Sequence, residues 1–117
     1  MTKILALHPY FGGKHYLKHW ILSHLPRHHT YIEGFAGAAN VLLNKERSAK
    51  EVLIEKDLHQ YTLLSQIQQN PQSITTFVQS MWLEDFWEWR SQLLSGQLTD
   101  PTEIAGTTLA IRYLSRG

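Results

Sequence analysis

Three stretches of the chain carry residue types that together can hold a nucleoside. Pro9-Tyr10-Phe11-Gly12-Gly13-Lys14 sets an aromatic ring and a cation on either side of a glycine pair. Tyr31-Ile32-Glu33-Gly34-Phe35-Ala36-Gly37-Ala38-Ala39-Asn40-Val41 passes from an apolar segment through a small-residue turn into a second apolar segment. About twenty residues past Gly37, the run Val52-Leu53-Ile54 leads into Asp57. Strand, small-residue turn, helix, strand and terminal acid make up the mononucleotide-binding unit of a nucleotide-type fold. Small side chains let the backbone come close to a ligand, and a carboxylate past the second strand can accept from ribose hydroxyls. By spacing alone, the unit suits any adenosine-bearing ligand.

The elements that must position these residues follow from periodicity. Tyr16, Leu17, Trp20, Ile21 and Leu25 recur at helical spacing between Lys14 and Leu25, and Pro26 lies just past the end. Residues 30–35 read as a strand, 38–45 as a helix and 51–55 as a second strand. Residues 58–69 are helical, Asn70-Pro71 marks a break and a new helix start, and 83–94 form a further helix stopped by Gly96. The last helix covers 102–114, opened by Asp100 as N-cap, Pro101 at the first position and Glu103 at the third. The expected class is therefore α/β: about two parallel strands, then a helical segment. Two strands make a narrow sheet with exposed edges, so the pattern reads as the N-terminal part of a larger design. Removal, loss by mutation and supply by another chain are the open explanations for the rest.

Composition narrows the function classes. A chain of 117 residues with 43% hydrophobic content fits one small globular domain, and the mean hydropathy is −0.28. The formal net charge of +1 gives no strong chain-wide attraction to nucleic acid. With no cysteine there is neither a disulfide framework nor a cysteine metal site. The start of the chain has too short an apolar run for a signal peptide, and no run approaches the ~20 apolar residues of a membrane span. A soluble, cytoplasmic location is expected. The seven histidines include His15/His19 and His24/His28 at i,i+4, but Pro26 separates the second pair and no acid completes a ligand set. No metal site is expected.

The order of these segments resembles the D12 class of adenine-specific DNA methyltransferases, the DNA adenine methyltransferase family, along nearly the whole chain. The aromatic-x-Gly-Gly-Lys element is Tyr10 to Lys14, followed by Leu25-Pro26. The V/I-E-P-F-x-G turn is matched by Ile32 to Gly37, the acid after the second strand by Asp57. Phe86-Trp87-Glu88-Trp89-Arg90 stands for the aromatic helix, and Tyr113-Leu114-Ser115-Arg116 for the Leu-Asn-Arg type end that approaches the DNA-recognition segment. Gly34 replaces the usual Pro, and Ala38-Ala39 stand where glycines are common. The family's D-P-P-Y-like catalytic motif does not occur in these residues.

The resemblance implies a partial Rossmann-like fold dependent on S-adenosyl-L-methionine, with double-stranded DNA as partner of the full-length protein, often in restriction-modification. Residues 1–70 would be the cofactor-binding part and 71–117 the helical segment leading toward DNA recognition. It implies cofactor contacts from Tyr10, Lys14, Glu33, Phe35, Gly37 and Asp57, and a DNA contact from Arg116. Lys14 can pair with the methionine carboxylate or a DNA phosphate, Glu33 with the ammonium. With no catalytic residue in the chain, a truncated, inactive fragment is expected, complemented by a C-terminal polypeptide if it works at all. A non-catalytic remnant and a helical interaction module are the alternatives. As structure alone, Tyr10 is a packing aromatic, Lys14 a surface cation and Asp57 a helix N-cap. The cluster of Trp82, Phe86, Trp87 and Trp89 is expected to bury one helix face, in the core or at an interface with the absent half, rather than to stack bases.

Overall fold

The computed structural model describes residues 7–8, 14 and 17–114. These contain six helices and a two-stranded parallel sheet in the order α1 (Lys18–His24), β1 (Thr30–Glu33), α2 (Asn40–Asn44), β2 (Lys50–Leu53), α3 (Leu58–Gln69), α4 (Pro71–Ser80), α5 (Leu83–Leu94) and α6 (Pro101–Leu114). The class is mixed α/β, as a partial Rossmann-like unit requires. The chain groups into two compact units, Met1–Lys56 and Asp57–Gly117.

In the first unit, α1 ends where Pro26 forces the preceding Leu25 into an extended conformation (φ −73°, ψ 123°). The strands run parallel in the register Thr30–Lys50, Tyr31–Glu51, Ile32–Val52 and Glu33–Leu53. Backbone bonds extend the ladder at both ends, from Lys50 N to His29 O and from Ile54 N to Glu33 O. Alternation in β1 turns Tyr31 and Glu33 inward and leaves Ile32 exposed. Lys45, past the end of α2, donates to Glu51 Oε2 at 2.7 Å and lies 4.7 Å from the Tyr31 ring centroid. This pin ties the α2–β2 loop to both strands.

The second unit is helical. Asp57 caps α3, its Oδ1 accepting from His59 N at 3.0 Å and Gln60 N at 3.1 Å. Pro71 opens α4 at its first turn. Asp100 Oδ2 accepts from Glu103 N at 3.0 Å, so Asp100-Pro101 is a helix start and not a catalytic element. Leu63, Ile74 and Ala105 form the buried core, with Ile67, Val78 and Leu109 packed around it. The buried face of α6 is Ala105, Gly106, Thr107, Thr108 and Ala110. Such small residues let α3 and α4 approach closely.

The aromatic helix α5 divides its residues between two faces. Phe86 and Leu93 are buried, and Trp89 packs edge-on to Phe77 with centroids 5.1 Å apart. Trp82, Trp87 and Leu94 are exposed, Trp82 at 72%. Positions 86, 89 and 93 share one face by helical spacing, whereas 87 and 94 fall on another. The first set is core; the second is not buried within this chain. An apolar groove of about 340 Å³ lies beside Met81, Trp82, Phe86, Leu109, Tyr113 and Leu114.

Candidate functional site

The carboxyl ends of β1 and β2 are the place where an open α/β sheet receives a ligand. After Glu33 the chain leaves the ladder through a turn built on three left-handed residues: Phe35 (φ 51°), Gly37 (φ 55°) and Ala39 (φ 55°). Only Gly37 adopts that region without cost from a Cβ. This is why α2 begins at Asn40 rather than at Ala38. Ala36 N donates to Ile54 O at 3.0 Å, so the turn is sewn to the end of β2. Phe35 projects outward and is 85% exposed.

Glu33 is buried at 3% exposure. Its Oε1 accepts from the Tyr31 hydroxyl at 2.7 Å and from Leu42 N at 3.0 Å. Its Oε2 is buried and makes no hydrogen bond. Burial, followed by the bond to Glu33, pushes the Tyr31 phenol above its ordinary value, so this ring stays a neutral donor. Lys14 Nζ stands 3.8 Å from Glu33 Oε2 and donates to Gly34 O at 3.1 Å and Phe35 O at 2.8 Å. Gly37 N donates to Glu55 Oε1 at 2.8 Å.

Of the sequence-derived site residues, Lys14, Glu33, Phe35 and Gly37 come together around this turn. Tyr10 and Arg116 lie outside the described residues. Asp57 belongs to the helical unit, where besides capping α3 it stands 3.9 Å from Arg112 Nη2. Arg112 in turn donates from Nε to Gln60 Oε1 at 3.2 Å. Glu55, the first acid after the apolar run Val52-Leu53-Ile54, also reaches this turn through its bond from Gly37 N and was not among the sequence-derived site residues.

The arrangement offers one ammonium, two backbone carbonyls and two carboxylates within a strand-end turn. That donor and acceptor set can take a zwitterion and a hydroxylated sugar. Glu33 Oε2, a buried acceptor lacking a donor, fits the ammonium of an amino-acid group. Among the described residues, no group of three or more His, Cys, Asp or Glu is placed to hold a metal ion, and no helix is long and apolar enough to cross a membrane.

The family model of the D12 class N6 adenine-specific DNA methyltransferases matches residues 10–112. No curated protein matches the chain.

Proposed function

The chain belongs to the D12 class N6 adenine-specific DNA methyltransferase family, and from that premise we propose that it is the cofactor-binding part of an enzyme methylating the exocyclic N6 amine of adenine in double-stranded DNA. Residues 1–70 serve the cofactor and 71–117 lead toward DNA recognition. The observation that carries the reading is the gathering of Lys14, Glu33 and Gly37 at the carboxyl ends of two parallel strands.

S-adenosyl-L-methionine, when bound, supplies a sulfonium-activated methyl group. The chain's part is to hold and orient it. Glu33 Oε2 accepts from the ammonium, and Lys14 faces the carboxylate. The Gly37 turn lets the backbone approach, and Phe35 and Tyr10 provide apolar walls. An acid past β2 accepts from the ribose hydroxyls; the family's spacing brings Asp57 to that role. Arg116 faces DNA phosphate. No D-P-P-Y-like run occurs in the 117 residues, so no group here aims the adenine amine. These 117 residues by themselves hold the cofactor without transferring its methyl group.

Titration calorimetry of the purified chain with S-adenosylhomocysteine tests this. Binding, without methyl transfer to adenine-containing duplex, is the expected result. A folded chain that binds no S-adenosylhomocysteine refutes the reading. The groove beside Trp82 favours one rival, a helical interaction module, which predicts that negative result.

A further inference from the structure

Glu33 is held by one carboxylate oxygen and leaves the other open. Oε1 accepts from the Tyr31 hydroxyl at 2.7 Å and from Leu42 N at 3.0 Å, so both of its lone pairs are taken. Oε2 is buried and accepts no hydrogen bond. Lys14 Nζ stands 3.8 Å from it, beyond hydrogen-bond length. Two anchors on one oxygen fix the plane of the carboxylate, and with it the direction of the other oxygen. One anchor is a backbone amide of α2. The other is a side chain two residues back on the same inward face of β1. Tyr31 is itself held. Its ring lies 5.7 Å from that of His28 and 4.7 Å from Lys45 Nζ. Lys45 donates to Glu51 Oε2 at 2.7 Å, and Glu51 is the β2 partner of Tyr31. A line of contacts therefore runs from β2 through the phenol to the site carboxylate.

We infer that Tyr31 is a positioning residue: its hydroxyl, with the Leu42 amide, presents Glu33 Oε2 to the ammonium of the bound ligand, and so sets the preference of the site for an amino-acid end that carries this charge. The inference rests on the cofactor-site reading above. A glutamate with free rotamers must be ordered when a ligand arrives, whereas one already anchored loses little freedom. The open lone pairs of Oε2 then accept a charge-assisted bond, which satisfies a buried acceptor in the same step. Phenylalanine at this position keeps the ring, its contact with Lys45 and its place in the strand, and removes only the donor. Glu33 Oε1 is then held by the Leu42 amide alone.

The test uses the full chain, calorimetry, and two probes, S-adenosylhomocysteine and its analogue lacking the α-amino group. Wild type should prefer S-adenosylhomocysteine by about tenfold or more, the range for a hydrogen bond to a charged acceptor. Tyr31→Phe should narrow that preference by about two- to tenfold, the factor for immobilising one side chain on binding. It should leave the affinity for the des-amino probe at the wild-type level. Glu33→Gln should abolish the preference, and the double variant should lose no more of it than Glu33→Gln alone. Tyr61→Phe, which alters an exposed phenol on α3, is the control and should change neither affinity. Equal weakening of both probes in Tyr31→Phe marks a purely structural residue and overturns the inference, as does an unchanged preference. Wild-type binding with no preference between probes also overturns it, while leaving the cofactor site standing. No binding by folded wild type sinks the cofactor reading, and the inference with it. Circular dichroism shows which variants fold. Should Tyr31→Phe not fold, Lys45→Met, which frees the phenol ring from its cation, takes its place with the same expected and refuting outcomes.

Discussion

Gly106→Ala should destabilise the chain, against the ordinary rule for helices. In an exposed helix interior, Ala is better than Gly by about 1 kcal/mol. Gly106 lies in the buried face of α6, and a Cβ there would fall 2.3 Å from Phe77 Cδ1, 2.9 Å from Cε1 and 3.3 Å from Cγ. The ring must retreat by about 1.5 Å to reach ordinary contact. It cannot do so cheaply, because the same ring packs edge-on to Trp89. Overpacking of this kind costs about 1–3 kcal/mol. Since the propensity gain offsets only part of that, the net loss is about 1 kcal/mol, or about 4 °C in Tm for a chain of this size. Thermal and urea unfolding followed by circular dichroism measure it. Phe77→Leu in the Gly106→Ala background should recover part of the loss, since the branched side chain is smaller. A rise in Tm for Gly106→Ala alone would refute the argument, because it would mean that α4 and α6 do not meet as described.

Two further outcomes are expected from the first unit. Ala39→Gly should raise stability by about 1 kcal/mol, because Ala39 holds a left-handed conformation (φ 55°, ψ 41°) that costs an L-residue about that much; chemical unfolding checks it, and no change would place the strain elsewhere. The hydrogen bond from Lys45 holds the Glu51 carboxyl below its ordinary value of 4.5, so its contribution is present above that value and is lost as pH falls through the lower folded value. Glu51→Gln should therefore cost stability at neutral pH, within about 1 kcal/mol, and nothing in strong acid; an equal deficit at both would exclude the ion pair as cause.

Much of the architecture is legible in the sequence because its punctuation is local. Leu58–Gln69 and Leu83–Leu94 have the bounds their periodicity predicts, and Asp100-Pro101 and Asn70-Pro71 start helices as their residue types require. Shorter elements are trimmed where backbone conformation overrides side-chain pattern. β1 stops at Glu33, two residues early, because Phe35 turns left-handed, and α2 starts late because Gly37 and Ala39 do. Hydropathy does not report the sign of φ at an alanine. The grouping of Lys14, Glu33 and Gly37 follows from the family's motif order. The bond from Gly37 N to Glu55 Oε1 is not legible in the sequence, because spacing does not report side-chain rotamers. The exposed half of α5 escapes because a count of tryptophans does not say which helix face each occupies.

The parallel pairing of β1 with β2 also sets an order of events in time. Thr30 meets Lys50 and Glu33 meets Leu53, so no hairpin can start the ladder, and the intervening loop must close before any pair forms. Helices α3 and α4 need only neighbours a turn away. Pulse-labelled hydrogen exchange during refolding should find their amides protected before those of Val52 and Ile54; the opposite order would contradict it. The turn at the strand ends then takes its shape after α3 and α4 have formed, and a partly refolded molecule presents those helices before it presents the paired strands.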